Sequence, residues 1–296
     1  MKPAPFSYCA PTTIEETVRL LTSVEDPKIL AGGQSLVPAM NFRLARPATL
    51  IDINHVTGLS HLSTVDGEIR IGALTRHRRF EKDEIGGPLG ALMVQMASKV
   101  GHMPIRVRGT FGGSLAHADP AAEWCLLMVA LGGSIVAIGA DGERQVDAQS
   151  FFRSVFTTDL RSDELLTEAR IPLLGSSHRV GFAAFSRRAG DFALVMALVA
   201  LTMADGVVKE ARIGIGGVAE TPLRAPEAES ELVGTSLAIQ DIERAAAAAS
   251  GSIATLGDIH ASAEYRSDLV GVMTRRALTQ AANAGGLSQS ARGEPE

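Results

Sequence analysis

Cysteine is nearly absent: Cys9 and Cys125 are the two in a chain of 296 residues. Two thiols cannot complete a four-cysteine iron–sulfur cluster or a structural zinc site, and they are too few for a disulfide framework. Cys125 lies among Trp124, Leu126 and Leu127, which suits a buried free thiol. Any redox chemistry here therefore runs without clusters of the chain's own. Excess positive charge is missing too. A net charge of −5 leaves no basic field for nucleic acid or an anionic membrane. No run approaches the ~18 apolar residues of a membrane span. The opening Met1-Lys2-Pro3-Ala4-Pro5-Phe6 lacks the apolar core of a signal peptide, so the expected compartment is the cytoplasm.

Familiar catalytic signatures are also missing. There is no Gly-x-Ser-x-Gly elbow, no His-Glu-x-x-His and no Walker sequence. One formal Gly-x-Gly-x-x-Ala match runs from Gly214 to Ala219, but Thr221-Pro222 breaks any helix directly after it. The dinucleotide fingerprint needs strand, turn and helix in sequence, so this match is not read as a phosphate loop. His117 and Asp119 have no third ligand at helical or hairpin spacing, so no metal site is expected.

Two glycine pairs are present instead: Ala31-Gly32-Gly33-Gln34-Ser35 and Thr110-Phe111-Gly112-Gly113-Ser114. Each follows a strand-like run or its approach, and each ends in a hydroxyl. Such loops can bring backbone N–H groups and a serine hydroxyl against phosphate oxygens. Two of them, far apart in sequence, point to one extended diphosphate ligand held from both sides. Asp119-Pro120 shortly after the second pair reads as a helix start, with Asp as N-cap and Pro at the first helical position. A helix N-terminus beside such a loop favours an anion. Asp119 itself repels phosphate, so it is read as a cap or as an acceptor for a ribose or ribityl hydroxyl.

Periodicity supplies the surroundings. Thr12-Thr13-Ile14-Glu15-Glu16 is a capping box, and Ile14, Val18 and Leu21 recur at helical spacing over residues 13–23. Residues 28–31 and 49–53 read as strands. Asp66-Gly67, Asp141-Gly142 and Asp205-Gly206 each separate two strand-like runs and signal hairpins. Helices are expected over residues 89–100 and from Pro120 to about Leu131. Residues 164–171 read as a strand, and residues 174–178 as a linker. Beyond it come strands over 179–187, 194–204 and 207–216, then helices near 225–233, 240–250 and 262–283. Antiparallel strands followed by helices suggest a separate α+β domain. The mixed charges from Arg76 to Glu84 read as a solvated helix face. In Arg187-Arg188-Ala189-Gly190-Asp191-Phe192-Ala193, the alternatives are a charged surface turn or a loop that lays Phe192 against a flat ring system.

At these motifs the chain resembles the FAD-binding medium subunits of molybdenum hydroxylases, the group of carbon monoxide dehydrogenase and the quinoline- and nicotine-type dehydrogenases. Residues 31–35 with Leu36, Pro38 and Leu50-Ile51-Asp52-Ile53 match the family's first flavin segment, and residues 108–123 match its second. Further matches lie at residues 187–193, at residues 215–219 with Pro222, and at Ser262-Ala263-Glu264-Tyr265-Arg266 with Leu269. The resemblance covers residues 1–283 in motif order. It implies an α+β fold: a two-subdomain FAD-binding domain of the p-cresol methylhydroxylase type, plus a C-terminal domain of three antiparallel strands and helices. The implied division is 1–57 and 58–174 for the flavin subdomains and 179–284 for the C-terminal domain, with 285–296 as a disordered tail.

The resemblance also implies that Ala31, Gly32, Gly33, Gln34, Ser35, Leu36, Thr110, Gly112, Gly113, Ser114, Ala118 and Leu166 contact non-covalent FAD. Asp119 would bind its sugar-like chain, and Asp191 and Phe192 would lie by the isoalloxazine ring. Its implied partners are a large molybdopterin subunit and a small subunit with two 2Fe–2S clusters, assembled as a dimer of heterotrimers. Gln34 stands where carbon monoxide dehydrogenases usually carry His, which resembles the N-heteroaromatic hydroxylases. Phe192 stands where Tyr or Trp is also common, and Ala184 where some members carry a lysine. The expected function is electron transfer through FAD from a partner's clusters to an external acceptor. A self-sufficient FAD oxidase and a flavin-less scaffold are the alternatives.

Overall fold

A computed structural model describes residues 1–284; the expected tail, 285–296, lies outside the described residues. The chain divides into two compact units, and neither is a single stretch. The first comprises residues 1–79, 102–118 and 133–172, and the second, among the described residues, 80–101, 119–132 and 173–284.

The first unit opens with a small parallel sheet. Thr49–Asp52 is its central strand, flanked by Ser7–Cys9 and Pro27–Leu30. The helix Ile14–Ser23 connects the two flanking strands. Thr13 caps it, its hydroxyl accepting from the Glu16 N–H at 3.1 Å, while the Glu16 carboxylate takes the Thr12 N–H at 3.0 Å. The capping box therefore closes one residue out of the expected register, on Thr12 and Thr13 together. Val18 and Leu21 on this helix pack with Ile51, Ile53, Val56, Leu59, Leu74 and Leu165. Burying each such side chain contributes roughly 1.5–3 kcal/mol, which fixes the helix to the sheet.

A five-stranded antiparallel sheet completes this unit, in the order Leu62–Val65, Glu68–Gly72, Leu165–Pro172, Ser134–Gly139, Gly142–Asp147. The hairpin at Asp66-Gly67 has both residues at positive φ, 51° and 79°, as a two-residue type I′ turn demands.

The second unit is built on an antiparallel meander of His178–Phe185, Val195–Ala204 and Val207–Gly216. A fourth strand, Leu223–Arg224, is added to the three expected. It is short because Pro226 starts a helix immediately after it. The helix Ala263–Ala284 lies on this sheet so closely that a Cβ on Gly181 would overlap the Ala277 carbonyl. Ile239–Ser252 packs beside that helix.

Glu123–Leu131 is buried along its whole length. A helix apolar on all sides has no solvent face to offer, and this one lies against the strand Val207–Gly216. A Cβ on Gly214 would sit 2.6 Å from the Ala130 Cβ, and the Gly217 N–H donates to the Pro120 carbonyl at 2.9 Å. The formal Gly-x-Gly-x-x-Ala match is thus a close-packing device.

Three local expectations fail. The helix expected at Pro120 begins at Glu123, because the Asp119 carboxylate closes a tight turn onto the Ala121 N–H at 2.8 Å. The second glycine pair is not a loop but lies inside a helix, Phe111–His117. The charge run is not a solvated face at its start: His77 is buried and Arg76 half-buried.

Candidate functional site

The first glycine segment leaves the strand Pro27–Leu30 and enters the short helix Leu36–Asn41. Gly33 makes the turn at φ 71°, a region that L side chains rarely adopt. The segment is braced from within, since the Gln34 amide donates to the Gly32 carbonyl at 2.9 Å. Ser35 flanks the helix but makes no side-chain cap bond, so its hydroxyl is not spent on capping. Among the described residues, the N–H groups of Gly32, Gly33, Gln34 and Ser35 meet no acceptor. Successive unspent N–H groups around a left-handed glycine make a concavity that attracts an anion.

The second segment has the opposite accounting. Thr110 is the N-cap of Phe111–His117, and its hydroxyl accepts from the Gly113 N–H at 3.0 Å. The Phe111 N–H donates to Thr75 and the Gly112 N–H to Ala73, each at 2.9 Å. The Ser114 N–H donates to the Thr110 carbonyl at 3.0 Å. Gly112 serves proximity: a Cβ there would meet the Ala73 Cα at 2.6 Å. Phe111 and Leu115 are fully buried beneath the turn.

The two segments touch. A Cβ on Gly32 would lie 2.6 Å from the Arg108 carbonyl oxygen and 2.7 Å from the Gly109 Cα. A Cβ on Gly113 would lie 3.6 Å from the Ala31 Cβ. At Gly32 only glycine lets the backbones approach so closely, whereas the Gly113 distance is an ordinary contact.

Asn54, Arg76 and His77 surround this junction; the sequence alone places none of them at the site and reads Arg76 and His77 as the start of a solvated face. The Asn54 amide donates to the Ala31 carbonyl at 2.8 Å, and its oxygen accepts from Arg76 at 2.6 Å. Arg76 also donates to the Arg108 carbonyl and pairs through its backbone with Thr110. Its guanidinium pKa is lowered by partial burial and by the like charge of Arg108. His77 packs against Gly109, whose added Cβ would sit 2.6 Å from the imidazole. Burial, reinforced by the Arg76 and Arg106 charges, pushes the His77 pKa down to about 4. The available signal was placement: Arg76 and His77 follow closely on Ala73-Leu74-Thr75, so they leave the core rather than a surface helix.

Leu36 is the first residue of the short helix, and Ala118 ends Phe111–His117 in the left-handed region at φ 53°. Ala118 is held there on both sides: its N–H bonds to the Ser114 and Leu115 carbonyls, and its carbonyl accepts from Phe156. Leu166 is a buried strand residue beside a bulge, on a strand that packs against Phe111–His117. His117 stacks on Phe156 with ring centroids 4.8 Å apart. Among the described residues no group of three His, Cys, Asp or Glu could hold a metal ion.

Asp119, Asp191 and Phe192 belong to the second unit. Asp191 and Phe192 lie in the connection between His178–Phe185 and Val195–Ala204, after Gly190 at φ 85°. Phe192 is 58% exposed, a large ring presented rather than packed. The connection is anchored by Arg266, a buried residue of the 262–266 motif. Its guanidinium donates to the Leu194 carbonyl at 2.8 Å, to Asp258 at 2.7 Å and to the Gly217 carbonyl. In the same unit, burial raises the Glu123 carboxyl to about 7 despite its own backbone N–H, and the nearby Asp119 charge adds to the rise.

Chemically, the first unit offers a junction of two glycine-bearing segments, four unspent amides and two nearby guanidiniums. The unspent donors of the first segment, with the guanidiniums beside them, fit the diphosphate of an extended dinucleotide. The class defined is therefore a dinucleotide-carrying α+β protein.

Comparison with known proteins gives the particular family. Residues 4–174 match the FAD-binding domain of molybdopterin dehydrogenases, and residues 181–281 the C-terminal domain of carbon monoxide dehydrogenase flavoproteins. The nicotine 6-hydroxylase medium subunit of Paenarthrobacter nicotinovorans is 37% identical, over 95% of this chain and 99% of its own. The carbon monoxide dehydrogenase medium chain of Afipia carboxidovorans is 36% identical, over 95% of this chain and 98% of its own. The crystal structure of quinoline 2-oxidoreductase from Pseudomonas putida 86 superposes with a TM-score of 0.91 at 36% identity, covering 96% of this chain and 99% of that one. The chain belongs to the FAD-binding medium subunits of the molybdenum hydroxylases, as its motifs suggested.

Proposed function

We propose that this chain holds FAD non-covalently and works as the electron-transfer stage of a molybdenum hydroxylase complex. The observation that carries the reading is the apposition of the two glycine segments, with four unspent N–H groups on the first. Bound FAD supplies a redox centre that accepts electrons from one partner and yields them to another. The chain's own residues bind, space and orient. The N–H groups of Gly32, Gly33, Gln34 and Ser35 receive diphosphate oxygens, with the Ser35 hydroxyl beside them. Thr110, Gly112, Gly113 and Ser114 form the opposing wall, and Leu36, Ala118 and Leu166 complete the lining. Asp119 takes a hydroxyl of the flavin's chain, and Asp191 and Phe192 lie by its ring.

Family membership and the medium-subunit names of the relatives support a large molybdopterin partner and a small partner with two 2Fe–2S clusters. We extend this to a dimer of heterotrimers in the cytoplasm, with 1–57 and 58–174 as the flavin subdomains and 179–284 as the C-terminal domain. Gln34 and the nicotine and quinoline relatives favour an N-heterocyclic substrate, oxidised in the large subunit. The test is purification of the full chain with its flanking gene products. The expected result is flavin absorbance in this subunit, with electrons reaching FAD only when the partners are present. A preparation without flavin that binds none on reconstitution, or substrate turnover by this chain alone, contradicts the reading.

A further inference from the structure

One hydrogen-bonded chain crosses the junction, from the Ala31 carbonyl of the first glycine segment to the Arg108 carbonyl just before the second. On the first side, the Asn54 amide nitrogen donates to the Ala31 carbonyl at 2.8 Å. Asn54 cannot swing freely, because Asp52 accepts from both its backbone N–H, at 2.9 Å, and its side-chain nitrogen, at 2.6 Å. Asp52 is fixed in turn by the Tyr8 hydroxyl, which donates to its other oxygen at 2.6 Å. On the second side, Arg76 is tied to Thr110 through its backbone, and its guanidinium donates to the Arg108 carbonyl. The bond from Arg76 to the Asn54 oxygen, at 2.6 Å, joins the halves. The Arg108 carbonyl that accepts from Arg76 is the same atom that a Cβ on Gly32 would strike.

We propose that Asn54 and Arg76 are positioning residues: together they form a strap that holds the two glycine segments in register against each other, and so sets how long FAD stays bound. The proposal rests on the reading of this junction as the FAD diphosphate site. Packing alone does not supply this control. Glycine permits the close approach of residues 32 and 108 but does not enforce it, and Asn54 is exposed rather than part of the core. A planar guanidinium can donate to Asn54 and Arg108 at once in a fixed fork, whereas a lysine ammonium offers a point charge on a flexible stem. Asn54 is likewise matched, with a donor turned to Ala31 and an acceptor to Arg76.

The experiment uses the full chain and compares Asn54→Ala, Arg76→Lys and the double variant. The FAD dissociation rate is read by recovery of free-flavin fluorescence, and the thermal midpoint is read on flavin-free protein. Each single variant should release FAD about fivefold to tenfold faster, the size expected for loss of one hydrogen bond. Because the strap acts as one unit, the double variant should be no faster than the worse single one. The flavin-free midpoints should stay close to the unsubstituted chain. Arg76→Lys keeps the charge and the stem, so it carries the test if Asn54→Ala folds poorly. Release at the unsubstituted rate in both singles overturns the strap, and so does a double variant whose effect is the product of the two. A lowered flavin-free midpoint with unchanged release assigns the pair to folding alone and also overturns it. If the unsubstituted chain itself binds no FAD, the reading of the site falls, and the strap with it.

Discussion

The two glycine segments look alike in sequence and spend their backbones in opposite ways. In the first, four consecutive N–H groups meet no acceptor among the described residues, and Gly33 turns the chain at φ 71°. In the second, Thr75, Ala73 and the Thr110 hydroxyl already take the N–H groups of residues 111–113. The same Gly-Gly-x-hydroxyl or Gly-Gly-hydroxyl pattern thus makes a gripping surface in one place and a rigid wall in the other. A glycine pair shows that backbones come close; hydrogen-bond accounting shows which of them is left to meet a ligand.

The contrast predicts separable failures. The largest should come from acid. His77 packs against Gly109, just before the second segment, and its pKa lies near 4 in the fold against an ordinary 6.5. Between those values the unfolded chain binds the extra proton, so stability falls as pH drops through 6.5 toward 4, by up to roughly 3 kcal/mol. Above 6.5 it is fully retained. His77→Gln should flatten this limb in pH-dependent denaturant unfolding, and an unchanged limb would place the acid sensitivity elsewhere. Next comes Gly112→Val. Its side chain would collide with the Ala73 backbone, at a cost of roughly 1–3 kcal/mol. The thermal midpoint of flavin-free protein should fall accordingly.

Gly33→Ala should cost roughly 1–2 kcal/mol for the left-handed turn, yet its main effect should be weaker FAD binding. A stability loss with unchanged FAD affinity would erase the distinction between the segments. Thr110→Ala should remove about 1 kcal/mol with the lost cap, again from the fold rather than from the ligand. Smallest is Gln34→Ala, which loosens the first segment by about 0.5–1 kcal/mol through its bond to Gly32. Titration with FAD should detect it where thermal unfolding does not.

Much of this was legible from the chain alone. The Asp-Gly hairpins at 66, 141 and 205 and the capped helix Ile14–Ser23 depend on local chemistry that a short window contains. The motifs carried the family because they follow one another in the family's order over residues 1–283. What escaped was set by distant partners. Phe111–His117 forms a helix because Thr110 caps it and because Gly112 can sit on Ala73, nearly forty positions earlier. Asp119 spends its carboxylate on Ala121, so the helix waits for Glu123. Arg76 and Asn54 matter only because the fold places them between two carbonyls, and the surrounding charges concealed Arg76 in what reads as a surface run.

Amide hydrogen exchange of the full chain with and without FAD tests the division between the segments most directly. The N–H groups of residues 32–35 should exchange rapidly in flavin-free protein and become protected when FAD is added. Those of residues 111–114 should be protected in both states. Protection gained only at residues 111–114, or none gained at residues 32–35, would contradict it.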